Sequence, residues 1–113
     1  MTQVTIYHNP RCSKSRQTLA LLEENGIEAT IIHYLDTPPD AASLKNIIQL
    51  LGVDVADIIR TGEQVFNKDM LNWSEDQQID GIIENPILMQ RPIVVANGQA
   101  RIGRPPEAVL EII

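Results

Sequence analysis

A four-stranded mixed sheet covered by helices, an α/β fold with a helical insertion at about residues 53–84, is what the sequence predicts for this 113-residue chain, read as one domain over 1–113. Three observations carry that expectation. Residues 3–34 run in β-α-β order: a β-branched segment, a helical repeat, then a second β-branched segment. Residues 53–84 contain helical spacing and turn residues but no convincing strand. Beyond residue 92 a third β-branched run meets Asn97-Gly98, a strong hairpin signal.

The elements follow in order. Residues 3–7 alternate well enough for an edge or half-buried strand, and a wholly buried one also fits. Pro10 ends it, because its ring fixes φ. A helix then spans about Ser13 to Asn25, with Ser15, Leu19 and Leu22 on one face and Gly26 as C-terminal cap. Ile27 to Tyr34 reads as the second strand, parallel to the first because a helix connects them. Thr37-Pro38-Pro39-Asp40 turns the chain into a helix over Ala41–Leu51, where Leu44, Ile47, Ile48 and Leu51 recur at helical spacing and Gly52 ends the run. Short helical pieces are expected at Val55–Ile59 and at Glu75–Glu84, the latter with Ser74 as N-cap and Asn85-Pro86 as its stop. Ile93–Ala96 and Gln99–Ile102 form the hairpin. Gly103 turns the chain and Pro105-Pro106 opens a final helix, with Val109, Leu110, Ile112 and Ile113 able to pack on the sheet.

Composition narrows the function. A hydrophobic content of 43% suffices for a core, and a domain of this size buries about 65% of its extended surface. A single cysteine excludes an intrachain disulfide scaffold and suits a reducing, cytoplasmic setting. No signal segment is evident, and no apolar stretch reaches the ~20 residues that span a bilayer. Fifteen acidic against nine basic residues give a net charge of −6, which disfavours nucleic acid. The six arginines are distributed differently: Arg11 and Arg16 flank Cys12, whereas Arg60, Arg91, Arg101 and Arg104 lie in the second half. If three or four converge on the sulfur, they create a cationic pocket in an acidic protein, suited to a small oxyanion that the planar guanidinium matches.

Cys12 is the informative residue. It sits in Asn9-Pro10-Arg11-Cys12-Ser13-Lys14-Ser15-Arg16, at a strand-to-helix junction among fixed cations. Helix-start amides and neighbouring positive charge favour a thiolate, which is the nucleophilic form. No second cysteine is present, so thiol-disulfide turnover requires an external thiol. Ser15 stands one helical turn on and can aim its hydroxyl at the sulfur. His8, if charged, would stabilise the thiolate. His33 reads as a packing residue, Arg101 as peripheral, and Asn67-Lys68 as a border of the entrance. Two scattered histidines and one cysteine make a weak case for zinc, and Gly-rich nucleotide motifs are absent, so no bound metal or cofactor is expected.

The element order is that of the thioredoxin fold, and its landmarks narrow it. They are Tyr7-His8-Asn9-Pro10 before Cys12, Ser15-Arg16 after it, Ile31-Ile32-His33-Tyr34-Leu35, Pro38-Pro39, and Ile59-Arg60. Asn85-Pro86-Ile87-Leu88, Gln90-Arg91-Pro92-Ile93-Val94-Val95 and Arg101-Ile102-Gly103-Arg104-Pro105 complete the set. With these in order the chain resembles the glutaredoxin-type arsenate reductase family, ArsC, over essentially its full length. The resemblance implies Cys12 as catalytic cysteine, Arg60, Arg91 and Arg104 as oxyanion-handling arginines, and His8 and Ser15 as the residues tuning the thiolate. It also implies a cis peptide bond at Pro92. Asn9 and Arg16, beside the sulfur, are expected to join the substrate contacts. The activity implied is reduction of arsenate, or a similar small oxyanion, with glutathione as reducing co-substrate and glutaredoxin as partner, in a monomer. Two alternatives stay open from the residues themselves. The Cys-Ser-Lys-Ser motif also suits a monothiol glutaredoxin-like reductase of glutathione mixed disulfides, in which the arginine trio is surplus. A non-enzymatic protein-binding regulator is the third, although Ser15 stands where a redox switch would carry a second cysteine.

Overall fold

The computed structural model describes residues 3–113, and the chain divides into two compact units. One joins the chain up to Thr37 with Arg91–Ile113; the other is Pro38–Gln90.

The first unit holds the sheet. Strands β1 (Val4–His8), β2 (Thr30–His33), β3 (Ile93–Ala96) and β4 (Gln99–Ile102) lie in the order β2-β1-β3-β4, with helix α1 (Ser13–Glu24) connecting the parallel pair β1 and β2. Strand β1 is therefore central, not an edge. It pairs in parallel with β2 from Thr5↔Thr30 to His8↔His33, and antiparallel with β3 from Val4↔Ala96 to Tyr7↔Ile93. Alternation places Val4, Ile6 and His8 on the buried face. The expected hairpin forms at Asn97-Gly98, where both residues have positive φ, 54° and 70°, as a tight two-residue turn requires.

Two elements differ from expectation. Strand β2 is four residues long instead of eight, because it is an edge whose only partner, β1, ends at His8. The chain then turns, with the amides of Asp36 and Thr37 both donating to the His33 carbonyl at 3.0 and 2.9 Å. The final helix is a 3₁₀ helix over Pro106–Ile112, which buries Pro106, Val109 and Ile112. Those three positions recur every three residues, the repeat of a 3₁₀ turn. The Asn97 side chain fixes its end by donating to the Ile112 carbonyl at 2.7 Å. Val4, Ile6, Leu22, Val94, Ala96, Val109 and Ile112 form the core beneath the sheet.

The second unit is helical. Helix α2 (Ala41–Leu51) starts at Asp40, whose side chain accepts from the Ser43 amide at 2.8 Å, and ends at Gly52 with φ 72°. Helix α3 (Glu75–Glu84) has the boundaries its periodicity predicts. Short 3₁₀ turns occupy Val55–Ile58, Lys68–Asn72 and Pro86–Leu88, and an isolated bridge joins Ile59 to Met89. The N-terminus of α3 carries a reciprocal cap: Ser74 Oγ accepts from the Gln77 amide at 3.2 Å, and the Ser74 amide donates to Gln77 Oε1 at 3.0 Å. Replacing Ser74 with alanine should therefore lower stability by about 1 kcal/mol. A thermal melt that matches the parent protein would show that the cap contributes nothing.

Candidate active site

The site grows from one end of the sheet. Strand β1 ends at His8, and Asn9 begins a tight loop whose backbone is satisfied internally. The Cys12 amide donates to the Asn9 carbonyl at 3.0 Å, and the Arg11 amide donates to Asn9 Oδ1 at 3.0 Å. Buried Asn9 thus acts as the staple of the loop. Arg16 completes it from α1: its Nη1 donates to the Pro10 carbonyl at 2.9 Å. The loop delivers Cys12 to the N-cap of α1, with extended backbone at φ −95° and ψ 123°.

Position decides the chemistry of the sulfur. Cys12 is only 9% exposed, and burial alone pushes its thiol up. The Ser15 amide, the Arg91 guanidinium and the Lys14 amide oppose that and together prevail, so the thiol lies below its ordinary value. The sulfur makes no formed cap hydrogen bond, so the pull of the first-turn amides is electrostatic. A second guanidinium adds to it: Arg104 Nη2 points at Cys12 Sγ from 3.7 Å. The rate of iodoacetamide alkylation, followed over pH, should accordingly rise with a midpoint below that of an ordinary cysteine. A midpoint at or above the ordinary value would mean that amides and arginines do not outweigh burial.

The structure places His8 and Ser15 in contact with each other beneath the loop. Burial first, then His33 and Arg16, hold the His8 ring below the ordinary histidine value, which works against the charged form. Its Nδ1 lies 2.7 Å from Ser15 Oγ, and its ring packs edge-on against His33 with centroids 5.9 Å apart. The Ser15 hydroxyl is occupied by that contact and by the Asn9 amide, which donates to it at 3.0 Å. Ser15 acts on the sulfur through its amide, while His8 and the Ser15 side chain lock the loop.

Arg91 and Arg104 come from the two ends of the β3-β4 hairpin. Arg91 immediately precedes Pro92 and β3, and Arg104 follows β4; the bonds Arg91–Pro92 and Arg104–Pro105 are both cis. Arg104 Nε donates to the Arg91 carbonyl at 2.9 Å, which leaves Nη2 to reach the sulfur. Gly103 ties the hairpin to α1. Its amide donates to the Pro92 carbonyl at 2.9 Å, and a Cβ there would stand 2.5 Å from Thr18 Oγ1 and 2.8 Å from Pro92 Cγ. Arg60 belongs to the Pro38–Gln90 unit, where its Nε pairs with Glu63 at 3.2 Å and its amide donates to the Leu88 carbonyl at 2.7 Å. Arg101 pairs with Glu111 at 3.7 Å, on the sheet-bearing unit.

Sequence reasoning misses Tyr34. It reads as the end of the second strand and as part of one landmark run, with no role in the site, yet it is 0% exposed and interacts with Asn9, Arg91 and Cys12. The available signal is a tyrosine immediately past a strand that pairs with the strand leading to the cysteine. Among the described residues no cluster of three or more His, Cys, Asp or Glu side chains could hold a metal, and no helix is long and apolar enough to cross a membrane.

The model of the ArsC family matches residues 7–112, which takes in every one of these side chains. The chain belongs to the ArsC family. Among its relatives, uncharacterized protein YfgD of Escherichia coli strain K12 is 54% identical over 98% of this chain and 97% of its own length. An arsenate reductase of Neisseria meningitidis is 44% identical over the whole of both chains. The solved structure of an arsenate reductase from Vibrio cholerae superposes with a TM-score of 0.94 at 49% identity, covering 99% of this chain and 98% of that one. This ArsC chain thus shares its thioredoxin-like fold with that structure.

Proposed function

We propose that this ArsC chain reduces arsenate to arsenite, with the Cys12 thiolate as nucleophile. The observation that carries the reading is the pair of guanidinium groups on one sulfur: Arg91 lowers the Cys12 thiol and Arg104 stands 3.7 Å from it. Its relatives named arsenate reductase, one of them 44% identical over its full length, support the choice of oxyanion. Two planar cations beside a thiolate suit a tetrahedral anion and an attack that builds negative charge on oxygen.

In this reading the arginines bind arsenate next to the sulfur, and the Cys12 thiolate attacks arsenic with loss of water. Glutathione then replaces a second oxygen on the thiol-bound arsenate with loss of water. The glutaredoxin thiolate attacks the glutathione sulfur, forming a glutaredoxin–glutathione mixed disulfide as the S–As electron pair reduces arsenic. Hydrolysis of the remaining bond releases arsenite and free Cys12. The two electrons come from thiols. An external resolving thiol is required because Cys12 is the only cysteine of the chain. His8 and Ser15 keep the loop in shape, while Asn9 and Arg16 hold its backbone.

The test is steady-state arsenate reduction with glutathione and glutaredoxin, run beside a glutathionylated peptide in the same coupling system. Turnover of arsenate in preference to the peptide supports the reading. Turnover of the peptide alone would replace it with a monothiol disulfide reductase.

A further inference from the structure

Among the described residues, three buried side-chain polar atoms lack a hydrogen-bond partner: the Tyr34 hydroxyl, Arg91 Nε and Arg91 Nη1. Buried polar groups are nearly always paired, because an orphan forfeits its hydration without replacement. That the three belong to just two side chains of one unit, in mutual electrostatic contact, calls for a common explanation. Arg91 Nε and Nη1 can only donate, whereas a phenolic oxygen can accept. The sheet brings the two together. Tyr34 and Asn9 each lie one residue past the His8↔His33 pair, at the ends of neighbouring strands, and Arg91 is two residues before the Tyr7↔Ile93 pair.

We propose that Tyr34 is a positioning residue of the Cys12 site, its buried hydroxyl steering the Arg91 guanidinium against the sulfur. The proposal rests on the reading of Cys12 as the reacting nucleophile. The residue type fits the task. Burial, the largest influence, raises the Tyr34 phenol above its ordinary value, and the Cys12 charge adds to this while Arg91 and Asn9 work against it. The ring therefore stays uncharged at neutral pH. An uncharged oxygen orients a cation without neutralising it; a carboxylate at the same place would take Arg91 away from the thiolate and from any incoming anion. Asn9 connects the group to the loop, since the same residue staples Cys12 through its carbonyl.

Tyr34→Phe keeps the ring and removes only the hydroxyl. If the hydroxyl is mere filler, its loss removes an unpartnered buried oxygen and leaves the sulfur unchanged. If it steers Arg91, iodoacetamide alkylation of Cys12 at mildly acidic pH should slow about fivefold, as expected when the guanidinium drifts from the sulfur and the thiol loses part of its lowering. The melting temperature should hold or rise. The effect must also vanish in an Arg91→Ala background, because Tyr34 then has nothing to steer. Alkylation at the parental rate, or an equal slowing with and without Arg91, would overturn the proposal. Should Tyr34→Phe fail to fold, the ultraviolet titration of Tyr34 in a Tyr7→Phe background, with and without Arg91→Ala, replaces it. Loss of the guanidinium should raise the phenol titration, and an unmoved titration overturns the proposal. Alkylation needs no arsenate, so a chain inactive on arsenate can still pass this test.

Discussion

Cys12→Ser should bring arsenate turnover down to background, a loss of about a thousandfold or more. The amides of Ser15 and Lys14 and the two arginines stabilise an anion at the N-cap of α1, but a serine hydroxyl stays protonated in the same surroundings. No other cysteine exists to take over. The fold should survive, because Cys12 holds the loop through its backbone, the amide on the Asn9 carbonyl and the carbonyl accepting from the Arg16 amide, both at 3.0 Å. Serine keeps both bonds. Circular dichroism and a coupled assay on one preparation check this: native signal with no turnover is the expected pair. Appreciable residual turnover would show that arsenic is reduced without a bond to this sulfur.

Gly103→Ala should cost about 1–3 kcal/mol of stability and impair the site as well. The added methyl would enter between Thr18 Oγ1 and Pro92 Cγ, both under 3 Å away, and neither can step aside. Thr18 is 0% exposed and its hydroxyl donates to the Lys14 carbonyl at 2.8 Å, while Pro92 is buried at the start of the hairpin. The chain must shift at Gly103 itself, and the next residue is Arg104, whose reach to the sulfur depends on its hold on the Arg91 carbonyl. Lower melting temperature together with slower Cys12 alkylation is the expected result. A stable protein with parental alkylation would show that the hairpin can move without taking Arg104 with it.

The sheet is legible in the sequence because each of its signals is local. A β-branched run, a glycine after a helix and Asn-Gly between two strands act within a few residues, and β3, β4, α2 and α3 fall where these signals put them. Strand β2 is shorter than its composition suggests, since Ile27–Tyr34 is strand-like throughout but only four residues find a partner on β1. The terminal helix occupies the expected residues; that its turns are 3₁₀ depends on which side chains the core accepts. The site divides along the same line. Cys12, Arg91 and Arg104 carry strong local marks: a cysteine at a helix start and arginines before prolines. Tyr34 carries none, because its burial next to Arg91 arises from parallel pairing between segments separated by α1. The lowered titration of His8 is hidden for a related reason: a sequence does not show the burial that is its largest cause.

The lowered Cys12 thiol also concerns the endurance of the molecule. A group that ionises more readily in the native chain than in the unfolded one favours the native chain wherever it carries its charge there. That contribution is complete above the unfolded value and fades as the pH falls through the native one. Where it is ionised, the sulfur helps hold down the first turn of α1, and an uncharged covalent adduct would remove that anchor. Capping the sulfur with an uncharged group would loosen the start of α1, and regaining the free thiolate would restore it.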